Sequence, residues 1–166
     1  MGVHEHRRDA PMCVKIAFLT ISDSRTLETD TAGKLGCALI EAAGHELCGY
    51  RIVHDEPREV RAQIEMFCGI GAQAIVTAGG TGFASRDHSY ETIHRLFEKE
   101  LVGFGELFRM LSFEEIGAAS MLSRATAGIH HGVAIFSCPG SEAAVRLALE
   151  KLILPEVGHV VAEASR

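Results

Sequence analysis

Three glycines and an Arg-Asp pair occupy one short segment of the chain, AGGTGFASRD (residues 78–87). Because glycine has no Cβ, the backbone of such a segment can approach a ligand closely, and amides that open toward a helix N-terminus favour an anion. Arg86 can pair with phosphate oxygens, and the Asp87 carboxylate is a hard oxygen donor of the kind that Mg²⁺ prefers. The segment therefore predicts a site for a phosphorylated ligand.

Two familiar phosphate-binding motifs do not fit this segment. The P-loop spacing and its lysine are absent, and Ser85 stands where the dinucleotide-binding motif requires its third glycine. A tight turn without any ligand also contains such glycines. The glycines alone leave both interpretations open, and the Arg86-Asp87 pair favours a ligand.

Three further polar loops follow apolar runs: SDSRTLETDT (22–31), HDEP (54–57) and CPGS (138–141). Ligands of open parallel sheets bind beyond the carboxyl ends of the strands, so we expect these loops and the glycine segment to converge on one cleft. Asp55 and Asp87 each allow two interpretations. Either aspartate could stabilise a helix N-terminus, by about 0.3 to 1 kcal/mol, or hold a Mg²⁺ that neutralises phosphate charge.

The elements that position these loops alternate along the chain. Nearly continuous apolar runs over 14–22, 72–79 and 131–139 predict buried strands, and 46–54 predicts a weaker strand that Gly49 interrupts. Apolar residues at helical spacing lie between them. This alternation predicts an α/β fold of three layers, a mostly parallel sheet with helices on both faces.

The region from 103 to 128 departs from this alternation. A Ser112-x-x-Glu115 capping box predicts that a new helix starts there, and SRATAG (123–128) reads as a loop. His130 and His131 are expected in a turn before the last strand, and no histidine has the spacing of a metal site. Pro155 should end or kink the C-terminal helix.

Composition limits the class of protein. A chain of 166 residues fits a flexible tail over 1–12 and one domain over 13–166. A formal charge of −6 argues against a nucleic-acid partner. Five cysteines without a C-x-x-C pair indicate a reduced, cytoplasmic protein, and no run reaches the roughly 18 apolar residues of a membrane span, so no membrane partner is expected.

Five motifs in order make the chain resemble the molybdopterin-binding proteins of molybdenum cofactor biosynthesis. They are LTISDSRTLETDTAG, VHDE, TAGGTGFASRD, GFGELFRMLSFEEIGAASMLSRATAG and CPGSEAAVRLAL. GELFRMLSFEEIG is closer to the protein B type than to the dedicated adenylyltransferases. The resemblance implies a homo-oligomer, a trimer or a hexamer. In catalytic members the terminal phosphate of molybdopterin is joined to AMP from Mg·ATP, and pyrophosphate is released.

The resemblance also assigns roles to residues of the loops. It implies catalytic, Mg²⁺-holding carboxylates at Asp55 and Asp87, and so favours the functional interpretation of both. Glu106 lies in a motif of similar standing. Positions around the pterin, the nucleotide and their phosphates are Ser22, Asp23, Gly79, Gly80, Thr81, Gly82, Arg86, Ser89, Ser123, Arg124, Pro139, Gly140 and Ser141.

Three positions depart from the family pattern. Ser89-Tyr90 stands where Thr-Pro is usual, Ala32 replaces a common serine, and Cys138 replaces an aliphatic residue. An alternative function is therefore a protein of the same fold that binds molybdopterin or a precursor without turnover. A related domain of nicotinamide-nucleotide or damage-inducible proteins shares the glycine loop, but the short chain and the GELFRMLS segment speak against it.

Overall fold

The structure, a computed structural model, describes residues 10–166, so most of the predicted tail lies outside the described residues. The strands are β1 (Lys15–Ile21), β2 (Glu46–Val53), β3 (Ala74–Ala78), β4 (Lys99–Glu100), β5 (Thr126–His130) and β6 (Val133–Cys138). The helices are α1 (Thr31–Ala42), α2 (Pro57–Gly69), α3 (Ser89–His94), α4 (Val102–Ile116), α5 (Glu142–Leu147) and α6 (Leu154–Ala164). A 3-10 helix over Gly117–Leu122 follows α4, and a π-helical segment over Ala148–Ile153 joins α5 to α6.

The strands form one sheet in the order β2-β1-β3-β6-β5-β4. The first four strands in this order are parallel, whereas β5 and β4 run antiparallel to their neighbours. The parallel strands are those that the apolar runs predict. Their carboxyl ends lie at one edge of the sheet, where the glycine segment and the polar loops begin.

Helices cover both faces of the sheet, which confirms the three-layer α/β fold. Side chains of β1 alternate between two cores, as the period of a strand requires. Ile16 and Phe18 pack in the core that contains residues of α1, α4 and the C-terminal helices, and Leu19 packs in the core that contains residues of α2 and α3. Both cores are apolar, which explains why the predicted strands read as continuous apolar runs.

Residues 126–130, expected to be loop and turn, form strand β5 instead. A two-residue turn at His131 and Gly132, with φ of 48° and 77°, joins β5 to β6 in a hairpin. Positive φ at both positions is typical of a type I′ turn. His131 does lie in a turn, but His130 is the last residue of the strand. The missed strand makes the sheet mixed.

One local signal in the helices was misleading. Ser112 does not begin a new helix: it is buried inside α4, which continues to Ile116 because Phe104 and Phe108 pack the helix against the core. Pro155 does mark an interruption of the C-terminal α-helix. The regular helix α5 ends at Leu147, a π-helical segment follows, and Pro155 lies in the first turn of α6, where no amide donor is needed. No helix within residues 10–166 is long and apolar enough to cross a membrane.

Candidate phosphate-binding site

The loop from β3 to α3 begins with two glycines in the left-handed region, with φ of 107° at Gly79 and 65° at Gly80. A Cβ on Gly79 would overlap the carbonyl oxygen of Ile21, so no side chain fits beside the end of β1. A Cβ on Gly80 would overlap the Ser89 hydroxyl and lie 2.9 Å from Oδ2 of Asp55. These two positions require glycine because of both conformation and space.

The amides of this loop are available to a ligand. The Gly79 N–H donates to the Cys138 carbonyl at 3.0 Å. Within residues 10–166, the following four amides, from Gly80 to Phe83, donate to no protein acceptor. Successive amides in a glycine-rich turn form a concave binding site for an anion.

Arg124 braces this loop from one side. Its Nε donates to the Thr81 carbonyl at 3.0 Å, and its terminal nitrogens donate to the Gly82 carbonyl and to the carboxylate of Glu91. The N–H of a trans peptide points away from its C=O. Because Arg124 holds the Thr81 and Gly82 carbonyls, the amide hydrogens of Gly82 and Phe83 face away from its guanidinium.

Two aromatic rings hold the Arg124 guanidinium. Its central carbon lies 5.0 Å from the ring centroid of Phe83 and 4.7 Å from that of Tyr90, within the range of cation–π interaction. The sequence predicted Arg124 as a ligand of the substrate, but did not predict that Phe83, Tyr90 and Glu91 hold it. The sequence did draw attention to this position, because Tyr90 departs from the family pattern.

Asp55 joins the loop after β2 to the start of α3. Its carboxylate is 8% exposed and accepts the Ser89 hydroxyl at 2.7 Å and the His88 N–H at 3.2 Å. Its own N–H donates to Asp23 at 3.1 Å. Asp55 therefore satisfies the N-terminus of α3 from another part of the chain, and Ser89 is the first residue of that helix rather than its cap.

Asp87 lies at the far end of the glycine loop. Its Oδ2 accepts the Ala84 N–H at 2.9 Å, and a Cβ on Gly82 would overlap the same oxygen. Asp55 beside Gly80 and Asp87 beside Gly82 therefore border the same four-residue stretch. The structure brings both aspartates to the loop whose amides are available.

Asp23 and Arg86 form an ion pair. The pKa of Asp23 is lowered, first by the hydrogen bond from the Asp55 N–H and then by Arg86. This pair connects the loop after β1 with the glycine loop. It also means that neither Asp23 nor Arg86 is a solitary charge.

Most of the other predicted positions shape neighbouring turns. The Ser22 hydroxyl accepts the Arg25 N–H at 3.1 Å, and Ser141 caps α5 through the Ala144 N–H at 3.2 Å. A Cβ on Gly140, which follows Pro139, would lie 3.2 Å from the Cα of Gly79. The tight turn after β6 therefore packs directly on the first glycine of the loop.

Glu106 is the predicted residue that the single chain does not bring to the site. It is exposed on α4, and its side chain makes no hydrogen bond or ion pair within residues 10–166. Ser123, in contrast, directly precedes Arg124, and its carbonyl accepts from Arg109 at 3.4 Å.

Two surface clefts are lined in part by residues predicted for the site. One, of about 410 Å³, is lined by Ser22, Arg25, Tyr50, Arg51 and His54. The other, of about 290 Å³, is lined by Tyr90, Arg109, Ser123 and Arg124. Each cleft contains two arginines and an aromatic ring. Both therefore combine cationic donors with a flat apolar surface, although the chain as a whole is acidic.

A row of buried hydroxyls lies in the sheet near these clefts. Thr77, Ser137 and Thr126 are paired across β3, β6 and β5, and their hydroxyl oxygens have no hydrogen-bond partner in the described chain. Buried polar groups of this kind are usually satisfied by ordered water. The row gives the sheet a polar strip next to the edge that carries the glycine loop.

The remaining departures from the family pattern are packing changes. Ala32 is buried in the core, and Asp30 caps α1 through the Gly33 N–H at 2.9 Å without help from position 32. Cys138 is fully buried, and burial raises the pKa of its thiol to about 12. Its sulfur is therefore an unreactive thiol facing the Thr77 carbonyl.

Comparison with known proteins gives the family of this chain. The model of a family described as "Probable molybdopterin binding domain" matches residues 17–159. The chain is 48% identical over 165 residues to molybdenum cofactor biosynthesis protein B of Halalkalibacterium halodurans, covering 98% of this chain and 97% of that protein. The Bacillus subtilis protein of the same name is 49% identical with the same coverage.

The chain belongs to this molybdopterin-binding family. A crystal structure of molybdenum cofactor biosynthesis protein B is 45% identical, with a TM-score of 0.90, covering 93% of this chain and 98% of that chain. The tungsten cofactor synthesizing protein MoaB from Pyrococcus furiosus is 40% identical, with a TM-score of 0.87 over 95% of this chain and 100% of that one. The family's sequence pattern and its fold therefore extend over nearly the whole chain.

Proposed function

We propose that this protein acts in molybdenum cofactor biosynthesis by binding molybdopterin and transferring AMP from Mg·ATP to its terminal phosphate. The observation that carries the proposal is the run of four available amides between two aspartates, Asp55 and Asp87. The choice of a pterin as substrate follows from family membership, because relatives that cover nearly the whole chain are named for this pathway. Two clefts that include predicted site residues suit a reaction with two substrates.

The proposed reaction is a nucleotidyl transfer. A phosphate oxygen of molybdopterin attacks the α-phosphorus of ATP, a new P–O bond forms, and the bond to the β-phosphate breaks to release pyrophosphate. Such a transfer requires alignment and charge neutralisation rather than a covalent nucleophile. The loop amides would hold phosphate oxygens, and Arg124 would keep the loop in the conformation that presents them.

The two aspartates fit a Mg²⁺ that arrives with the nucleotide. This ion commonly takes one or two protein carboxylates and completes its shell with water and substrate phosphate. Asp87 uses one oxygen for the Ala84 N–H, which leaves Oδ1 available to a cation. Asp55 is more constrained, since its Oδ1 already accepts from Ser89 and His88.

A second candidate function is binding of molybdopterin or a precursor without turnover. Two observations favour it: Asp55 has a structural role at the start of α3, and Tyr90 stands where the family pattern has proline. In this case the same amides would bind the pterin phosphate, but ATP would not be recognised.

Incubation of the purified full chain with molybdopterin and Mg·ATP separates these candidates. Adenylyl transfer predicts adenylylated molybdopterin by mass spectrometry and an equal amount of pyrophosphate. Asp87→Asn should reduce product formation far more than pterin binding, whereas Glu41→Gln, an exposed acid on α1, should change neither. Pterin binding without product and without ATP affinity would establish the second candidate, and absence of pterin binding would contradict both.

We also propose that the protein works as a homo-oligomer, a trimer or a pair of trimers. Large apolar side chains on α4 and the following 3-10 helix are 46% to 72% exposed: Val102, Leu107, Met110, Phe113, Ile116, Met121 and Leu122. An apolar surface of this kind marks a protein interface, and Glu106 beside it would then face another copy. Sedimentation should give three or six chain masses for the wild type and a smaller species for Phe113→Glu.

The cysteines bear on the compartment. All five, including the exposed Cys13, are free thiols. Free thiols persist in a reducing environment, which supports a cytoplasmic location as part of the proposal.

A further inference from the structure

A cluster of metal-ligating side chains lies away from the glycine loop, at the β5–β6 hairpin. One imidazole nitrogen of His130, one of His131 and a carboxylate oxygen of Glu98 lie within 4.8 Å of one another. It is the one group of three or more such donors found within residues 10–166. Glu65 of α2 approaches the same cluster, since its Oε1 lies 3.1 Å from Nε2 of His130.

The orientation of the His130 ring suits a metal ligand. This side chain is 5% exposed, and its Nδ1 donates to the Leu96 carbonyl at 3.0 Å, which fixes the ring. Its Nε2 is then the nitrogen that could bind a metal ion, and it lies 3.1 Å from the carboxylate of Glu65.

His131 brings a second imidazole to the same place. The rings of His130 and His131 lie 4.1 Å apart between centroids. Nδ1 of His131 lies 2.9 Å from Oε1 of Glu98. A single divalent ion between these side chains would bind both imidazoles and the carboxylate.

We propose that Glu98, His130 and His131 bind a divalent first-row transition metal such as Zn²⁺. Imidazole nitrogen and carboxylate oxygen suit these ions, and the hydrogen bond from Nδ1 of His130 to a backbone carbonyl is the usual support of a ligating histidine. Ligands of a tetrahedral zinc site are about 3.4 Å apart given bond lengths near 2.1 Å. The donor atoms of the cluster lie within 4.8 Å of one another, and those of His131 and Glu98 lie 2.9 Å apart, so side-chain adjustment would bring them to that spacing.

The proposed site has room for further ligands and would link separate elements. Glu98 and Gly132 also line a surface cleft of about 520 Å³, so water can complete the metal's coordination. Glu98 directly precedes β4, and the two histidines belong to the β5–β6 hairpin. The ion would fasten the antiparallel end of the sheet, with Glu65 of α2 as an additional partner.

Titration of the full chain with Co²⁺ tests the site. The protein should carry His4→Ala and His6→Ala, because these two histidines outside the described residues could bind metal themselves. We expect one equivalent of Co²⁺ with the visible absorption bands of a low-symmetry site, displaced by Zn²⁺, and a higher unfolding temperature with Zn²⁺. His131→Asn should weaken binding by about tenfold or more and is compatible with the positive φ at this position.

Two variants complete the test. Glu98→Gln should weaken Co²⁺ binding as His131→Asn does. His54→Ala removes an exposed histidine whose Nδ1 lies 3.1 Å from Glu59, and it should leave Co²⁺ binding unchanged. Absence of the bands in the parent protein, or bands that persist in both His131→Asn and Glu98→Gln, would overturn the proposal.

Discussion

The guanidinium of Arg124 stacks on the ring of Tyr90 at 4.7 Å while its Nε holds the Thr81 carbonyl at 3.0 Å. Tyr90 occupies the position at which the family pattern has proline. Proline would restrict the first turn of α3 through its fixed φ. In this chain the tyrosine acts instead through Arg124, so the restraint on the glycine loop comes from a side-chain stack.

Replacement of Tyr90 should therefore loosen the glycine loop only when the aromatic ring is lost. Tyr90→Ala is expected to lower the free energy of unfolding by about 1 kcal/mol and to weaken molybdopterin binding, because the cation–π contact is lost. Tyr90→Phe keeps the aromatic face and should match the wild type in both measurements. Urea unfolding and pterin titration check this. Equal behaviour of the alanine and phenylalanine variants would contradict it.

Asp55 offers a way to separate structure from chemistry. Asp55→Ala leaves the buried Ser89 hydroxyl without its acceptor and should destabilise the protein by about 1 to 3 kcal/mol. Asp55→Asn keeps an oxygen at the same position, so its stability should stay closer to that of the wild type. If Asp55 also holds Mg²⁺, both variants should lose adenylyl transfer. An asparagine variant with normal turnover would limit Asp55 to its structural role.

Substitutions of the loop glycines should separate effects on fold stability from effects on product formation. In Gly82→Ala the new methyl group displaces only the Asp87 carboxylate, so the fold should persist while product formation falls as in Asp87→Asn. Gly79→Ala meets the Ile21 backbone at positive φ and should destabilise the fold by more than about 1 kcal/mol. Gly103→Ala, with open space around it, is the control and should be neutral or slightly stabilising. Circular dichroism melts and product analysis distinguish the three.

His45 should make stability depend on pH. Burial lowers its pKa below the ordinary value of 6.5, and its Nδ1 accepts the Val14 N–H at 3.2 Å. The unfolded chain therefore binds the proton more readily, and stability should fall as pH drops from about 6.5 toward the lowered value. His45→Asn keeps an acceptor but does not titrate. Urea unfolding between pH 7.5 and 5 should show a smaller loss for this variant, and equal losses would contradict the assignment.

The parallel part of the fold was predictable because three of its four strands, β1, β3 and β6, are buried on both faces, whereas β2 lies at the edge of the sheet. Runs such as the one containing Phe18 and Leu19 have little polar interruption, so the signal is strong. Strand β5 gave no comparable signal. It is short, it contains Gly128, and its pairing with β6 depends on positive φ at His131, which a single sequence does not reveal.

The candidate site was likewise predictable only in part. The loops that carry Asp55, Asp87 and the glycines could be located, since they follow strongly patterned strands. Their contacts could not, because they join residues far apart in sequence: Asp55 with Ser89, and Arg124 with Thr81 and Gly82. The spacing of residues within one segment does not show which distant residues will contact them.

The position of Arg124 along the chain has a further consequence. Met121 and Leu122, which are exposed in the single chain, lie only two or three residues before it. If they are buried between copies, immobilising that short segment also immobilises the brace on the Thr81 and Gly82 carbonyls. Affinity for phosphate would then depend on protein concentration, with dissociated chains holding their ligand less tightly than assembled ones.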